Sequence, residues 1–212
     1  MKRVLHVIAS PRERSRSEQL AATAIATLDQ VEVTRLELWR ETLPELDGET
    51  VEGRYRLIHG EQVAPEVEQR WAELRAVADH ALAHDLWVIS TPMWNFGLPY
   101  RLKHWIDCIT HPGMTFTNDA SGNVTGLAAG RKAILIGAGA LDLADAAQEQ
   151  ALDFQMRYLE TWLRFIGLTE IYSVRAAPTF GSPEAVERAL ATAAEQLRLI
   201  ARQVNRGGDA PG

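Results

Sequence analysis

Residues 90–107 read STPMWNFGLPYRLKHWID, and the chain changes character twice within them. Just before, Asp85–Ser90 (DLWVIS) is a short apolar run of the kind shown by a strand buried on both faces. Just after the aromatic residues, Tyr100–Thr110 reads as a helix, with Trp105, Ile106 and Ile109 on one face that is too apolar for a free surface and is expected to meet a second subunit. Between them lies a loop stiffened at both ends by Pro92 and Pro99, relaxed by Gly97, and crowded with Trp94, Asn95 and Phe96. A buried strand that hands over to a helix is half of a βαβ unit.

The same alternation extends in both directions. Val4–Ala9 (VLHVIA) is another buried strand, and from Ser17 the run SEQLAATAIATL has helical spacing, with Ser17 placed as its N-cap. VEVTRLELW (31–39) alternates with a period of two. Residues 40–62 are polar and punctuated by Pro44, Gly48, Gly53 and Gly60, which predicts a long connection. A helix follows over Pro65–His84, with Pro65 suited to its first turn. Gly113–Thr125 is rich in turn residues and fits a hairpin, and Lys132–Ile136 is a fourth strand. A helix over 150–166, a strand over Glu170–Arg175 and a helix over 183–204 complete the chain, with a frayed tail at 207–212. Five strands alternating with helices predict a three-layer α/β fold around a five-stranded parallel sheet. No repeat or shift in composition divides residues 1–212, so one domain is expected.

Composition narrows the function classes. The formal net charge of −6 argues against nucleic acid, whose phosphates call for a basic surface. One cysteine, Cys108, excludes an internal disulfide and fits a reducing compartment. No run approaches the ~18 apolar residues of a membrane span, and the basic-then-apolar start is too short for a signal peptide. The expectation is a cytoplasmic protein without a membrane or nucleic-acid partner.

Ligands of an open parallel sheet sit beyond the strands' carboxyl ends, where strand order reverses. Three loops leave such ends with unusual content: Ser10–Ser17, Thr91–Pro99 and Gly137–Leu141. The first, SPRERSRS, has neither a dinucleotide GxGxxG nor a Walker pattern. It offers Ser10, Ser15, Arg16 and Ser17 at a helix start, either as a phosphate cradle or as a solvated loop with a serine cap. The second holds Pro92, Met93, Trp94, Asn95 and Phe96. Its main chain suits the edge of a planar heterocycle with the two rings as walls, unless those rings plug the core below. A phosphate loop joined to an aromatic edge loop is the outline of a flavin mononucleotide site.

These residues resemble those of the FMN-dependent NADH-azoreductases, also described as FMN-dependent NADH:quinone oxidoreductases, of the flavodoxin-like superfamily. PMWNFGLPYRLKHWID followed by PGMTF is similar to the family's PMYNF, LK, ID and GVTF pattern, and DFQMRYLETWLRFIGLTEI (153–171) is similar to its PYL and FIG segment. The resemblance covers nearly the whole chain. It implies a flavodoxin-like fold and FMN as cofactor. NADH would be the electron donor and quinones and azo compounds the acceptors, turned over in ping-pong fashion by a homodimer whose second subunit helps roof the site. Site residues carried over are Ser10 at the end of the first strand, Ser15-Arg16-Ser17 on the phosphate, and Met93-Trp94-Asn95-Phe96 along the isoalloxazine. The chain departs from the family where Ser-Arg-Gly-Gly is usual: it has Ala138-Gly139-Ala140-Leu141, so Gly139 and Ala140 could offer main-chain groups alone. Phe116 is a candidate substrate-facing wall, or else hairpin core. The implied chemistry belongs to the cofactor and needs no catalytic side chain.

Two other readings stand beside this one: an FAD-dependent NAD(P)H:quinone reductase, and a flavodoxin-like electron carrier without small-molecule turnover. His80 and His84 have zinc spacing but lack an intervening glutamate and a third ligand, so no metal is expected. Cys108 has no basic or CxxC context and reads as a buried, inert thiol. Of the six tryptophans only Trp94 lies on a candidate ligand loop, and the rest read as core or interface.

Overall fold

The computed structural model describes residues 1–143 and 145–206, so the tail at 207–212 lies outside the described residues. In chain order, β1 (Lys2–Ile8), α1 (Arg16–Ile25) and β2 (Val31–Glu37) come first. They are followed by α2 (Gly48–Ile58), α3 (Pro65–Leu82), β3 (Leu86–Pro92) and α4 (Tyr100–Ile109). A short hairpin, β4 (Phe116–Asn118) and β5 (Val124–Gly126), precedes β6 (Lys132–Ala138). The last elements are α5 (Ala146–Leu152), α6 (Met156–Phe165), β7 (Glu170–Ala176) and α7 (Pro183–Arg206). No helix among the described residues is long and apolar enough to cross a membrane.

The five long strands form one parallel sheet in the order β2-β1-β3-β6-β7. This is the doubly wound order in which the chain starts near the centre, adds one strand to one side and then builds to the other. The strands alternate side chains between two cores. Leu5, Val7, Trp87, Ile89 and Leu135 face α3, α4 and α6, while Val4, Val88, Ile134, Ile136 and Val174 face α1 and α7. Three layers result. Trp87, Trp105 and Trp162 fill the first core as a triad, with ring centroids 6.0, 6.1 and 5.8 Å apart.

Three expectations change. Residues 40–62 are not a bare connection but hold α2, whose first turn is capped by Asp47 accepting from Thr50 N–H at 2.8 Å. Gly53, a break in the sequence pattern, is where α2 meets α3: a Cβ there would come within 2.3 Å of Val67 Cγ1. The single helix expected over 150–166 is two, because Asp153 accepts from the N–H groups of Gln155 and Met156 at 2.9 Å each and starts α6 afresh. The apolar face of α4 is not a surface at all. Trp105, Ile106 and Ile109 are buried inside this chain's own core, so they give no argument for a second subunit.

The β4–β5 hairpin lies between the end of α4 and the start of β6, at the amino ends of the strands. It docks on the end of α6 through Gly126, where a Cβ would lie 2.2 Å from the Gly167 nitrogen and the Ile166 carbonyl carbon. Backbone cannot swing aside as a side-chain tip can. We therefore expect Gly126→Ala to lower stability by about 1–3 kcal/mol, seen as a reduced urea midpoint with an unchanged slope. A midpoint equal to that of the parent would show that the hairpin does not press on α6.

Candidate functional site

β1 and β3 are neighbours whose connections leave toward opposite sides, which makes the crevice above their carboxyl ends the expected ligand position. The loop after β1 ends in the helix cap. Ser15, not Ser17, caps α1: its backbone is extended, and its hydroxyl accepts from Glu18 N–H at 3.4 Å. Ser17 instead lies in the first turn, 1% exposed, with its hydroxyl 3.1 Å from that of Ser15. The N–H groups of Arg16 and Ser17 have no acceptor among the described residues, and both point along the positive end of the helix. The Arg16 guanidinium itself is turned away, donating to the Thr179 carbonyl beyond β7. Ser10 holds the other flank of the loop, accepting from Arg12 N–H at 3.3 Å. Two free N–H groups beside two buried hydroxyls form an anion cradle.

The loop after β3 continues the sheet for one more bond, Met93 N–H to Ala138 C=O at 2.8 Å, and then folds into a tight turn. Trp94 and Gly97 exchange both backbone hydrogen bonds, at 3.1 and 2.9 Å, while Asn95 and Phe96 adopt φ of 48° and 69°. Two central residues at positive φ mark a type I′ turn. Asn95 is of a type that tolerates the left-handed conformation, but Phe96 is not, and there it costs about 1 kcal/mol or more. The reward is geometric: the N–H groups of Asn95 and Phe96 remain without acceptors among the described residues. Trp94 and Phe96 are 37% and 44% exposed, so they wall the crevice and do not plug the core.

The sequence pattern of the flavodoxin-like fold matches residues 2–200. FMN-dependent NADH:quinone oxidoreductase 3 of Pseudomonas fluorescens is 36% identical over 211 residues, covering 96% of this chain and 98% of the relative. The FMN-dependent NADH:quinone oxidoreductase of Desulfotalea psychrophila is 35% identical, over 96% and 98%. The chain belongs to the FMN-dependent NADH:quinone oxidoreductase family. Solved structures share its fold: an azoreductase from Bacillus anthracis superposes with a TM-score of 0.85 at 23% identity, covering 96% of this chain and all of that one. A second, an FMN-dependent NADH-azoreductase from the same species in complex with FMN, gives 0.80 at 19% identity, over 95% and 100%.

Of the positions matched to the family's motifs, the structure gathers Ser10, Ser15, Arg16, Ser17, Pro92, Met93, Trp94, Asn95 and Phe96 around the crevice. Gly139 stands beside Met93, but its N–H donates to Ala176 C=O and its C=O accepts from Thr179 N–H, at 3.1 and 2.8 Å. Its main chain is thus engaged within the protein, and Ala140 is the exposed member of the pair. Phe116 is not brought to the crevice. It packs on Phe165 with ring centroids 4.8 Å apart, at the amino ends of the strands and so at the far end of the sheet.

Several residues at the crevice escaped the sequence. Trp39, at the end of β2, packs on Trp94 at 5.6 Å and on Tyr100 at 5.1 Å, and its indole N–H donates to Ala9 C=O. It thereby ties the phosphate loop to the aromatic loop. Phe154 is 58% exposed, and its N–H donates to Phe96 C=O at 3.0 Å. Nothing in a lone Trp after a strand, or a Phe before a helix, marks these contacts in advance. Cys108 is buried, and burial first, then the Asp107 charge, pushes its pKa up to about 12, so it offers no thiolate. Its role is packing.

His6 lies below the crevice on β1, buried, with Nε2 3.0 Å from Ser90 Oγ. Burial, aided by the Arg35 charge, lowers its pKa from 6.5 to about 4. Between those values the unfolded chain takes a proton that the folded chain refuses, so stability is full at neutral pH and is lost as pH falls from 6.5 to about 4. The loss attributable to His6 is of the order of 3 kcal/mol. Urea unfolding across that interval should show the slope, and His6→Asn should remove most of it. An equal slope in both proteins would assign the effect to other groups.

Proposed function

We propose that this chain is an FMN-dependent NADH:quinone oxidoreductase with azoreductase activity, acting as a cytoplasmic homodimer by a ping-pong mechanism in which donor and acceptor use one site in turn. The observation that carries the reading is the pairing of two sets of free N–H groups across one crevice, Arg16 and Ser17 at the helix start and Asn95 and Phe96 on the turn. Those sets fit an FMN, with the phosphate on the first and the edge of the ring on the second. The names of the relatives at 35–36% identity support the same cofactor and substrates.

Bound FMN would supply the chemistry of accepting a hydride from NADH and passing two electrons to a quinone or azo compound. The chain does the rest. Ser15 and Ser17 would hold the phosphate, with hydroxyls already ordered by burial and by each other. Asn95 and Phe96 present N–H dipoles where negative charge would gather on the ring, and a fixed turn needs no reorganisation to do so. Trp94, Trp39 and Tyr100 form an apolar wall that keeps water from one side of the crevice. No catalytic side chain is assigned. Released cofactor from purified or reconstituted protein should be FMN, and NADH should be oxidised when a quinone is supplied. The Ser15→Ala/Ser17→Ala variant should bind FMN at least tenfold more weakly, since hydrogen bonds to an anion are worth roughly 1.5–3 kcal/mol each. Recovery of FAD, or no flavin, would overturn the cofactor assignment. Unchanged FMN affinity in the double variant would reduce the serines to a helix cap.

The homodimer rests on a different feature. Phe116 and Phe165, with the exposed Val124 and Leu127, leave apolar surface at the amino ends of the strands. Only a second copy could carry Phe116 over a crevice at the opposite end, which is the one arrangement that makes it substrate-facing. Sedimentation at micromolar concentration should give about twice 23.5 kDa. A monomer with full quinone turnover would remove both the dimer and the role of Phe116.

A further inference from the structure

We propose that Asp153, Phe154 and Gln155 form a clamp that fixes the strained turn at Trp94–Gly97, with Asp153 as a positioning residue for the flavin edge. The inference rests on the reading that this turn holds the ring. Asn95 and Phe96 sit in a backbone conformation that residues with side chains rarely adopt, and such a conformation persists only where the surroundings hold it. Trp94 and Gly97 bond only to each other. Among the described residues, the one hydrogen bond that reaches the turn from outside is Phe154 N–H to Phe96 C=O at 3.0 Å, from an N–H that is shared with Leu152 C=O at 3.2 Å.

Phe154 is held from both sides. Asp153, 1% exposed, accepts from Gln155 N–H and Met156 N–H at 2.9 Å each and pairs with Arg175 on β7. Gln155, also 1% exposed, donates from Nε2 to Thr91 C=O at 3.4 Å, in the strand that leads into the turn. The segment is thus anchored to β7, to β3 and to the first turn of α6, and Phe154 N–H is the point where that anchoring meets the turn. With the Phe96 carbonyl drawn toward Phe154, the N–H groups of Asn95 and Phe96 keep one direction. Asp153 touches neither ring nor substrate in this scheme and acts through Phe154 alone.

Two variants test the bond, read at the turn because the same N–H also serves Leu152 C=O. Phe154→Pro and Phe154→Ala both delete the ring, but only proline deletes the N–H. In flavin-free protein, hydrogen exchange at Trp94 and Gly97 should be about tenfold faster in the proline variant than in the alanine variant, as for a lost hydrogen bond. FMN should also bind the proline variant about tenfold more weakly. If the proline variant does not fold, Asp153→Ala compared with Asp153→Ser gives the same contrast, because serine keeps a capping oxygen. Equal exchange within either pair overturns the clamp. Faster exchange with equal FMN affinity overturns the positioning role. A parent protein that binds no FMN removes the flavin reading, while the exchange comparison still decides the clamp.

Discussion

The carboxyl edge of the sheet is organised by one close approach. Gly137 on β6 lies opposite Thr91 on β3, and a Cβ at Gly137 would come within 2.9 Å of Met156 Sδ and 3.0 Å of Gln155 Oε1. A larger residue would push aside these two side-chain tips, and one of them belongs to the Gln155 amide that reaches the Thr91 carbonyl. With glycine in place, the first turn of α6 sits directly on β3 and β6, Gln155 reaches the Thr91 carbonyl, and Phe154 arrives beside Phe96. Packing of the α6 start against a bare stretch of strand thus brings the helix start and the turn together at the crevice. Specific polar bonds then refine what the packing has brought near.

The tryptophans show how one residue type serves two opposite ends. Trp87, Trp105 and Trp162 are buried against each other and supply bulk to the core on the α4 and α6 side. Trp39 and Trp94 meet at the crevice rim, where a large rigid ring can stay partly exposed because its N–H has a partner. Spacing tells these apart only when the neighbouring strand order is known. Trp39 follows β2, which pairs with β1, so the fold itself brings it over the phosphate loop.

Much of the fold was legible because buried parallel strands are apolar on both faces and end at glycine, proline or serine. All five strands of the main sheet were found within two or three residues of their ends, and so was the hairpin. The three candidate loops follow from the same strand ends. What escaped is tertiary in origin. Helix α2 carries Gly48 and Gly53 and depends on the Asp47 cap and on a fit against Val67, neither visible as periodicity. Ser15 and Ser17 are equally good caps in sequence, and only the direction of the backbone chooses Ser15. The break between α5 and α6 hinges on the Asp153 carboxylate turning back onto its own chain. The apolar face of α4 looked like an interface because a helix spacing says which side is greasy, not what covers it. Phe116 is separated from the crevice of its own chain for a related reason: a motif gives a neighbour in sequence, while the hairpin's place at the amino ends of the strands is set by topology.

The distribution of charge explains why the crevice is built from backbone. Three arginines near it are already engaged, Arg16 with the Thr179 carbonyl, Arg101 with the Leu38 carbonyl and Arg175 with Asp153, while Arg12 and Arg14 stand exposed on the loop after β1 itself. The loop after β6, where the family usually carries another arginine, is small and apolar here. A chain of net charge −6 would thus attract an anionic ligand with two long, exposed side chains that must first be ordered to meet it. Oriented N–H groups answer that need. They carry fixed partial charges at a helix start and on a turn, they lose no side-chain entropy when a ligand arrives, and they remain in place whether or not the crevice is dry. An arginine side chain recognises an anion by moving to it, whereas these groups hold their direction only as long as the backbone is held. That is why the strained turn and its outside support matter more to this crevice than any single charged residue on its rim.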